Sequence, residues 1–169
     1  DSLGSRGLGD VYKRQRIYDI PKVKDHVLDC IEKGVYDPEL VNLYTEEEFD
    51  KLESFIDHQR DMMFTYAGLR QVVDKYLVQD RSSGAVYETP QFMYLLISAS
   101  IFAEYPKETR LDYVKRYYDA ISKHKINIPT PIMGGVRTPL RQFASCVLVD
   151  IDDTLDSIFS SDMAIGKYV

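Results

Sequence analysis

Cys146 is the residue of this chain best placed for chemistry. It follows Ser145 and opens the apolar run Cys146-Val147-Leu148-Val149. A thiol there can serve as nucleophile, metal ligand or half of a redox dithiol. No His, metal-ligand spacing or Cys-x-x-Cys lies nearby, which supports neither a metal site nor a papain-like nucleophile. Thiol–disulfide exchange with a cysteine outside this sequence is what remains. Beside it stands the commoner role of such a Cys, a small buried hydrophobe. Thr130 lies between Pro129 and Pro131, which predicts an extended backbone rather than helix at that point. Its hydroxyl either satisfies a loop backbone or is offered, rigidly held, to a substrate. Ser145 is open to the same two readings.

Four carboxylates follow at once: Asp150, Asp152, Asp153 and Asp156. Their spacing lacks the Gly and closing Glu of a calcium-binding EF-hand loop, and we assign no metal. Asp150-Ile151-Asp152-Asp153-Thr154 follows an apolar strand, like the DxDxT box of aspartyl-phosphatases, whose nucleophile also sits at a strand's C-terminal end. Against that, such a fold places this strand first, whereas a long helical stretch precedes it here. The plainest alternative is a turn with a helix N-cap.

The elements that must position these residues are mostly helical. Pro21 suits a first turn, Val23, Val27, Cys30 and Ile31 form an apolar stripe, and Gly34 ends it. Asp37-Pro38 opens a short helical turn. Thr45 to Glu48 reads as a capping box before a helix that buries Phe49, Leu52, Phe55 and Ile56. Another helix is expected over 65–75. The β-prone runs 76–78 and 85–87 flank Asp80 to Gly84 and predict a hairpin. Pro90 begins an almost wholly apolar helix, buried nearly all round. Residues 108–123 form an amphipathic helix with Leu111, Val114, Tyr118 and Ile121 inward, and its charges read as an ordinary solvated face. Near Lys125 the texture changes. Residues 126–128 and 145–149 read as strands, Gly134-Gly135 as a flexible turn, and Ser160 or Ser161 as the N-cap of a closing helix.

The 169 residues carry a net charge of −6, and 44% are hydrophobic. That suits one globular core and argues against a binder of DNA or RNA backbone, which shows a basic face. No apolar run approaches a membrane span and no signal-peptide pattern is present, so a cytoplasmic protein is expected. Cys30 belongs to a helix face and reads as core. Residues 1–15 have no apolar periodicity, and Ser5 to Gln15 can be back-translated as a sequencing-library transposase adaptor. We read 1–15 as an artefactual, disordered leader and both ends as cut from something longer.

The stretches TEEEFDKLESFIDHQRD, KYLVQDRSSGAVYETPQFMYL, TRLDYVKRYYDA and PTPIMGGVRTPLRQFASCVL carry a resemblance that runs from about Ile17 to Val169. The chain resembles the large subunit of class I ribonucleotide reductases, of the aerobic bacterial kind. The resemblance implies a helical domain over 16–125, with its small hairpin, leading at 126–169 into the first strands of a ten-stranded α/β barrel. It implies reduction of ribonucleoside diphosphates to deoxyribonucleoside diphosphates by a radical mechanism with dithiol oxidation. Thr130 and Ser145 would contact the ribonucleoside diphosphate, and Cys146 would be one of two reducing thiols. Asp153, Thr154 and Leu155 match the element that binds the specificity effector, a nucleoside triphosphate such as ATP or a dNTP, near the interface of a large-subunit homodimer. Thr154 stands where the family as often has Ser, and the hydroxyl is kept.

The implied partners are a small subunit whose di-iron centre generates the radical, and thioredoxin or glutaredoxin to restore the dithiol. The radical cysteine, the partner thiol and the ATP-cone would lie outside this sequence, so these residues alone would bind no cofactor and be inactive. Two other classes stay open on the residues themselves: an aspartyl-phosphatase-like enzyme and a helical interaction module.

Overall fold

The computed structural model describes residues 20–141 and 143–168; the leader expected at 1–15 lies outside them. Helix α1 (Val23–Glu32) turns Val23, Val27 and Cys30 inward, at the four- and three-residue spacing of one helix face. It ends at Gly34, whose φ of +69° is left-handed backbone that a side chain would strain. The Asp37 carboxylate accepts the Glu39 N–H at 3.0 Å and so starts a 3₁₀ turn at Pro38–Asn42. Helix α2 (Glu46–Phe55) opens on the expected capping box. The Thr45 N–H donates to Glu48 Oε2 at 2.9 Å, and the Glu48 N–H donates to Thr45 Oγ1 at 3.4 Å. A second 3₁₀ turn (His58–Met63) leads to α3 (Tyr66–Lys75), capped by Thr65, whose hydroxyl accepts the Gly68 N–H at 3.2 Å.

The hairpin is present, with β1 (Gln79–Asp80) antiparallel to β2 (Ala85–Val86). Its first strand starts three residues later than the β-prone run 76–78 indicates, because α3 and its cap run on through Tyr76. Gly84, at φ +71°, makes the turn.

Helix α4 (Pro90–Phe102) is the centre of the core, and every residue from Pro90 to Ala99 is buried. It packs most extensively against α5 (Arg110–Ser122), through Val114, Tyr118 and Ile121. Emptying a site such as Leu95, which has no exposed surface, would cost about 2–5 kcal/mol. The one long polar side chain on this stretch of α4 is satisfied on both sides. Gln91 donates to Asp61 Oδ1 at 2.7 Å and accepts the Tyr118 hydroxyl at 2.7 Å. Arg110 departs from the expected solvated face of α5. It is buried, donates from Nε to Glu48 Oε1 at 2.7 Å, and stacks over Tyr44 with 4.5 Å to the ring centroid.

The region after Lys125 differs most from expectation. Thr130 is not extended: Thr130–Gly135 forms the short helix α6. Pro129, extended at ψ 148°, acts as its N-cap, and Pro131 falls in the first turn, where a missing N–H costs no intrahelical bond. Gly134 and Gly135 lie in that helix rather than in a free turn. Residues 126–128 and 145–149 are not strands, since no described segment pairs with them. Strands exist through ladder partners, and an apolar run alone does not supply one. The last helix, α7 (Leu155–Tyr168), begins several residues before Ser160, so neither Ser160 nor Ser161 caps it. The Ser161 hydroxyl instead donates to the Ser157 carbonyl at 2.9 Å. Among the described residues no helix is long and apolar enough to cross a membrane.

Candidate functional site

The loop from Pro129 to Arg141 is seated on the helical layer by two arginines. Arg137 has no exposed surface and faces Glu88, equally buried, at the exit of the hairpin. Nε of Arg137 donates to Glu88 Oε2 at 2.8 Å, and Nη2 donates to Oε1. Nη2 also reaches the Tyr76 carbonyl at 3.0 Å, and Nη1 the Met133 carbonyl at 2.5 Å. Glu88 accepts further bonds from the Val78 N–H at 2.7 Å and from the Tyr36 hydroxyl. Burial works against the Arg137 charge, but the Glu88 carboxylate outweighs it and holds the guanidinium above its ordinary range. Burial pushes the Tyr36 phenol well above its usual value.

The network extends into α1. His26 Nε2 lies 3.1 Å from the Tyr36 hydroxyl, and the Cys30 thiol 3.8 Å from the same nitrogen. Burial drives His26 down to about 4 and Cys30 up to about 12, so both are neutral near pH 7. The core reading of Cys30 therefore stands. At the surface Arg141, in left-handed backbone at φ +38°, donates from Nε to Asp37 Oδ2 at 2.9 Å and from Nη2 to Glu39 Oε2 at 2.7 Å. The Arg137 carbonyl accepts the Asp37 N–H at 3.0 Å.

Thr130 opens α6 on the exposed side of this clamp, and its hydroxyl is 3.2 Å from the Tyr76 phenol oxygen. Tyr76, Ile128 and Met133 also border a cleft of about 530 Å³ whose other walls include Phe64, Tyr94 and His124. Ser145 and Cys146 are exposed in irregular backbone, with Oγ and Sγ 3.7 Å apart. Within this chain Cys146 is not packed against the helical layer. Among the described residues no hydrogen bond joins Thr130 to Ser145 or Cys146.

The acidic run is a helix start. Thr154 Oγ1 accepts the Ser157 N–H at 3.2 Å, while the Ser157 hydroxyl accepts the Asp152 N–H at 2.8 Å. This reciprocal pair satisfies two backbone donors at the entrance to α7. Asp153, Thr154 and Leu155 are all exposed there. No group of three His, Cys, Asp or Glu side chains among the described residues could hold a metal ion.

Sequence reasoning singled out Thr130, Ser145 and Cys146 but missed Tyr76, Glu88 and Arg137, which hold the first of them in place. A signal was present. Arg137 stands in the otherwise uncharged stretch from Ile126 to Leu140, and Glu88 directly precedes the Thr-Pro start of a helix buried from Pro90 to Ala99.

The family model described as "Ribonucleotide reductase, all-alpha domain" matches residues 62–141, from the second 3₁₀ turn to Arg141. Over 152 residues, 90% of the chain, the sequence is 58% identical to the ribonucleoside-diphosphate reductase subunit alpha of Haemophilus influenzae. It is 55% identical over the same share to the ribonucleoside-diphosphate reductase 1 subunit alpha of Escherichia coli K12. It is 47% identical over 145 residues to the corresponding subunit of Enterobacteria phage T4. The chain belongs to the ribonucleotide reductase large-subunit family. It spans about a fifth of the length of the curated relatives it matches, covering 20% of the first two. The likeness of residues 150–154 to an aspartyl-phosphatase box is coincidental within this family, and an independent helical interaction module is likewise set aside.

Proposed function

We propose that this chain is part of a ribonucleoside-diphosphate reductase large subunit, which converts ribonucleoside diphosphates to deoxyribonucleoside diphosphates. The observation that carries the reading is 58% identity, sustained over nine-tenths of the chain, to a subunit so named. In this reading Cys146 is one of two thiols that deliver reducing equivalents to the sugar, and Thr130 and Ser145 contact the substrate. The exposure of all three side chains supports it, since each is open to a ligand. Asp153, Thr154 and Leu155 hold a nucleoside triphosphate effector beside a homodimer interface. The exposed apolar side chains Leu155, Phe159 and Met163 on α7 are in keeping with such an interface.

We assign 16–125 to the helical domain and 126–169 to the passage into the α/β barrel, of which the stretch around Arg137 still packs on the helical layer. Leu148 is 96% exposed, as expected for a barrel residue whose covering neighbours come from other segments. The chemistry also needs a radical supplied by a di-iron small subunit, and thioredoxin or glutaredoxin to reduce the disulfide. The enzyme so assembled is cytoplasmic.

The test is Cys146→Ser in a full-length large subunit carrying this sequence. Ser is close to Cys in size, but its hydroxyl cannot pair oxidatively with the second thiol. Turnover should cease while ribonucleoside diphosphate binding stays near the wild-type level. Normal multiple turnover with thioredoxin-dependent recycling would remove Cys146 from the mechanism.

A further inference from the structure

We infer that Tyr76 is a positioning residue for Thr130, its phenol fixing the hydroxyl that meets the substrate. The inference rests on the substrate role proposed above for Thr130. The two oxygens are 3.2 Å apart, and either can donate. The substrate decides the direction of the bond. In this inference Thr130 meets the diphosphate part of the substrate, whose oxygens accept, and a threonine hydroxyl has a single proton. With the phenol O–H donating to Thr130 Oγ1, that single proton is left for the substrate. Tyr76 thus does more than restrict a rotamer, because it selects which way the Thr130 proton points.

The geometry is braced from the other side. Tyr76 is only 8% exposed, at the C-cap of α3, and its carbonyl accepts from Arg137 at 3.0 Å. The same guanidinium holds the Met133 carbonyl in α6, the helix that Thr130 opens. Helix α6 therefore cannot shift along Tyr76 without disturbing the buried Arg137–Glu88 pair. The side chain of one tyrosine thus meets the start of this short helix, and its carbonyl is linked through Arg137 to Met133 further along it. Such over-determination is what precise placement of a substrate-binding hydroxyl requires.

The experiment measures kcat and KM for a ribonucleoside diphosphate in the full-length large subunit with its small subunit. The variants are Tyr76→Phe, Thr130→Val, Thr130→Ser and the Tyr76→Phe/Thr130→Val double. Tyr76→Phe keeps the ring and its packing. It should raise KM about three- to ten-fold, what one net hydrogen bond supplies, with Tm and effector affinity unchanged. Thr130→Val should raise KM at least as much, Thr130→Ser should keep the wild-type value, and the double should be no worse than Thr130→Val alone. If Thr130→Val raises KM but Tyr76→Phe does not, or if the two effects add in full, the positioning role is wrong while the substrate reading survives. If Thr130→Val leaves KM unchanged, the substrate reading falls and takes this inference with it.

Discussion

Arg137 and Glu88 stand 49 positions apart in the chain and meet as an ion pair with neither side chain open to water. Stripping water from two such charges costs several kcal/mol per ion, and their attraction offsets this only when every remaining hydrogen-bonding site is filled. Here nearly all are filled. Four of the five guanidinium N–H groups are used, two on Glu88 and one each on the carbonyls of Tyr76 and Met133, and the Val78 N–H and Tyr36 hydroxyl take the spare carboxylate lone pairs.

Removing one partner should therefore hurt more than removing both. Arg137→Met leaves a dry, uncompensated carboxylate and should cost about 3–5 kcal/mol of stability. Combining it with Glu88→Gln should recover a substantial part of that loss, because a neutral amide can accept the Val78 N–H through its oxygen and donate from its nitrogen to a turned Tyr36 hydroxyl. Urea denaturation of the two singles and the double checks this; additive losses would mean that the pair is not coupled.

Acidification should loosen the chain through His26. Its ring stacks on Phe92 with 3.9 Å between centroids, and burial keeps it neutral down to about pH 4. An unfolded histidine binds its proton near 6.5, so between those values the unfolded state holds more protons and stability rises with pH. The contribution is complete above about 6.5 and gone below about 4, roughly 3 kcal/mol for a shift of this size. His58, lowered by burial to about 4 as well, titrates in the same window. Denaturation midpoints from pH 7 to 4.5 should fall steeply in the wild type. The fall should be about half as steep in His26→Gln.

The two thiols should react at very different rates. Cys146 is exposed, whereas Cys30 is fully buried with its pKa pushed up to about 12. Iodoacetamide at pH 8 should modify Cys146 promptly and leave Cys30 untouched until denaturant is added. Mass spectrometry of the alkylated peptides reads the order directly. Early labelling of Cys30 would mean that α1 opens readily.

These 169 residues should show no reductase turnover by themselves, even with a small subunit added. The chemistry needs a hydrogen-abstracting thiyl and two reducing thiols held together, and only Cys146 is available here beside the buried Cys30. Deoxyribonucleotide formation by the purified chain would contradict this assignment of parts.

The helical layer was largely legible because its signals are local. The Thr45–Glu48 capping box, the stripe of α1 and the unbroken apolar run of α4 each encode an element within a few residues, and each is found where expected. The region after Lys125 was not legible in the same way. Whether 145–149 is a strand depends on neighbours that no local pattern names. The rule that a residue before proline avoids helix also fails at Thr130, where two prolines frame a helix start. Of the candidate site, the exposed hydroxyls and thiol could be picked out by residue type. Tyr76 carried no such mark, and the lone charges of Glu88 and Arg137 in apolar surroundings were only a hint, because the importance of all three comes from contacts between 49 and 61 positions apart in the chain.

The buried clamp also constrains the order in which the polypeptide can mature. A ribosome extends the chain from its N-terminus, and the amphipathic helices through α5 can associate while synthesis continues. Until Arg137 emerges, Glu88, Tyr36 and the Val78 amide would have to sit in the interior without their cation. The early intermediate must therefore keep that region hydrated. Entry of one guanidinium, well after α4 is complete, is the step that allows the interior to dry and fixes the Thr130 helix against it.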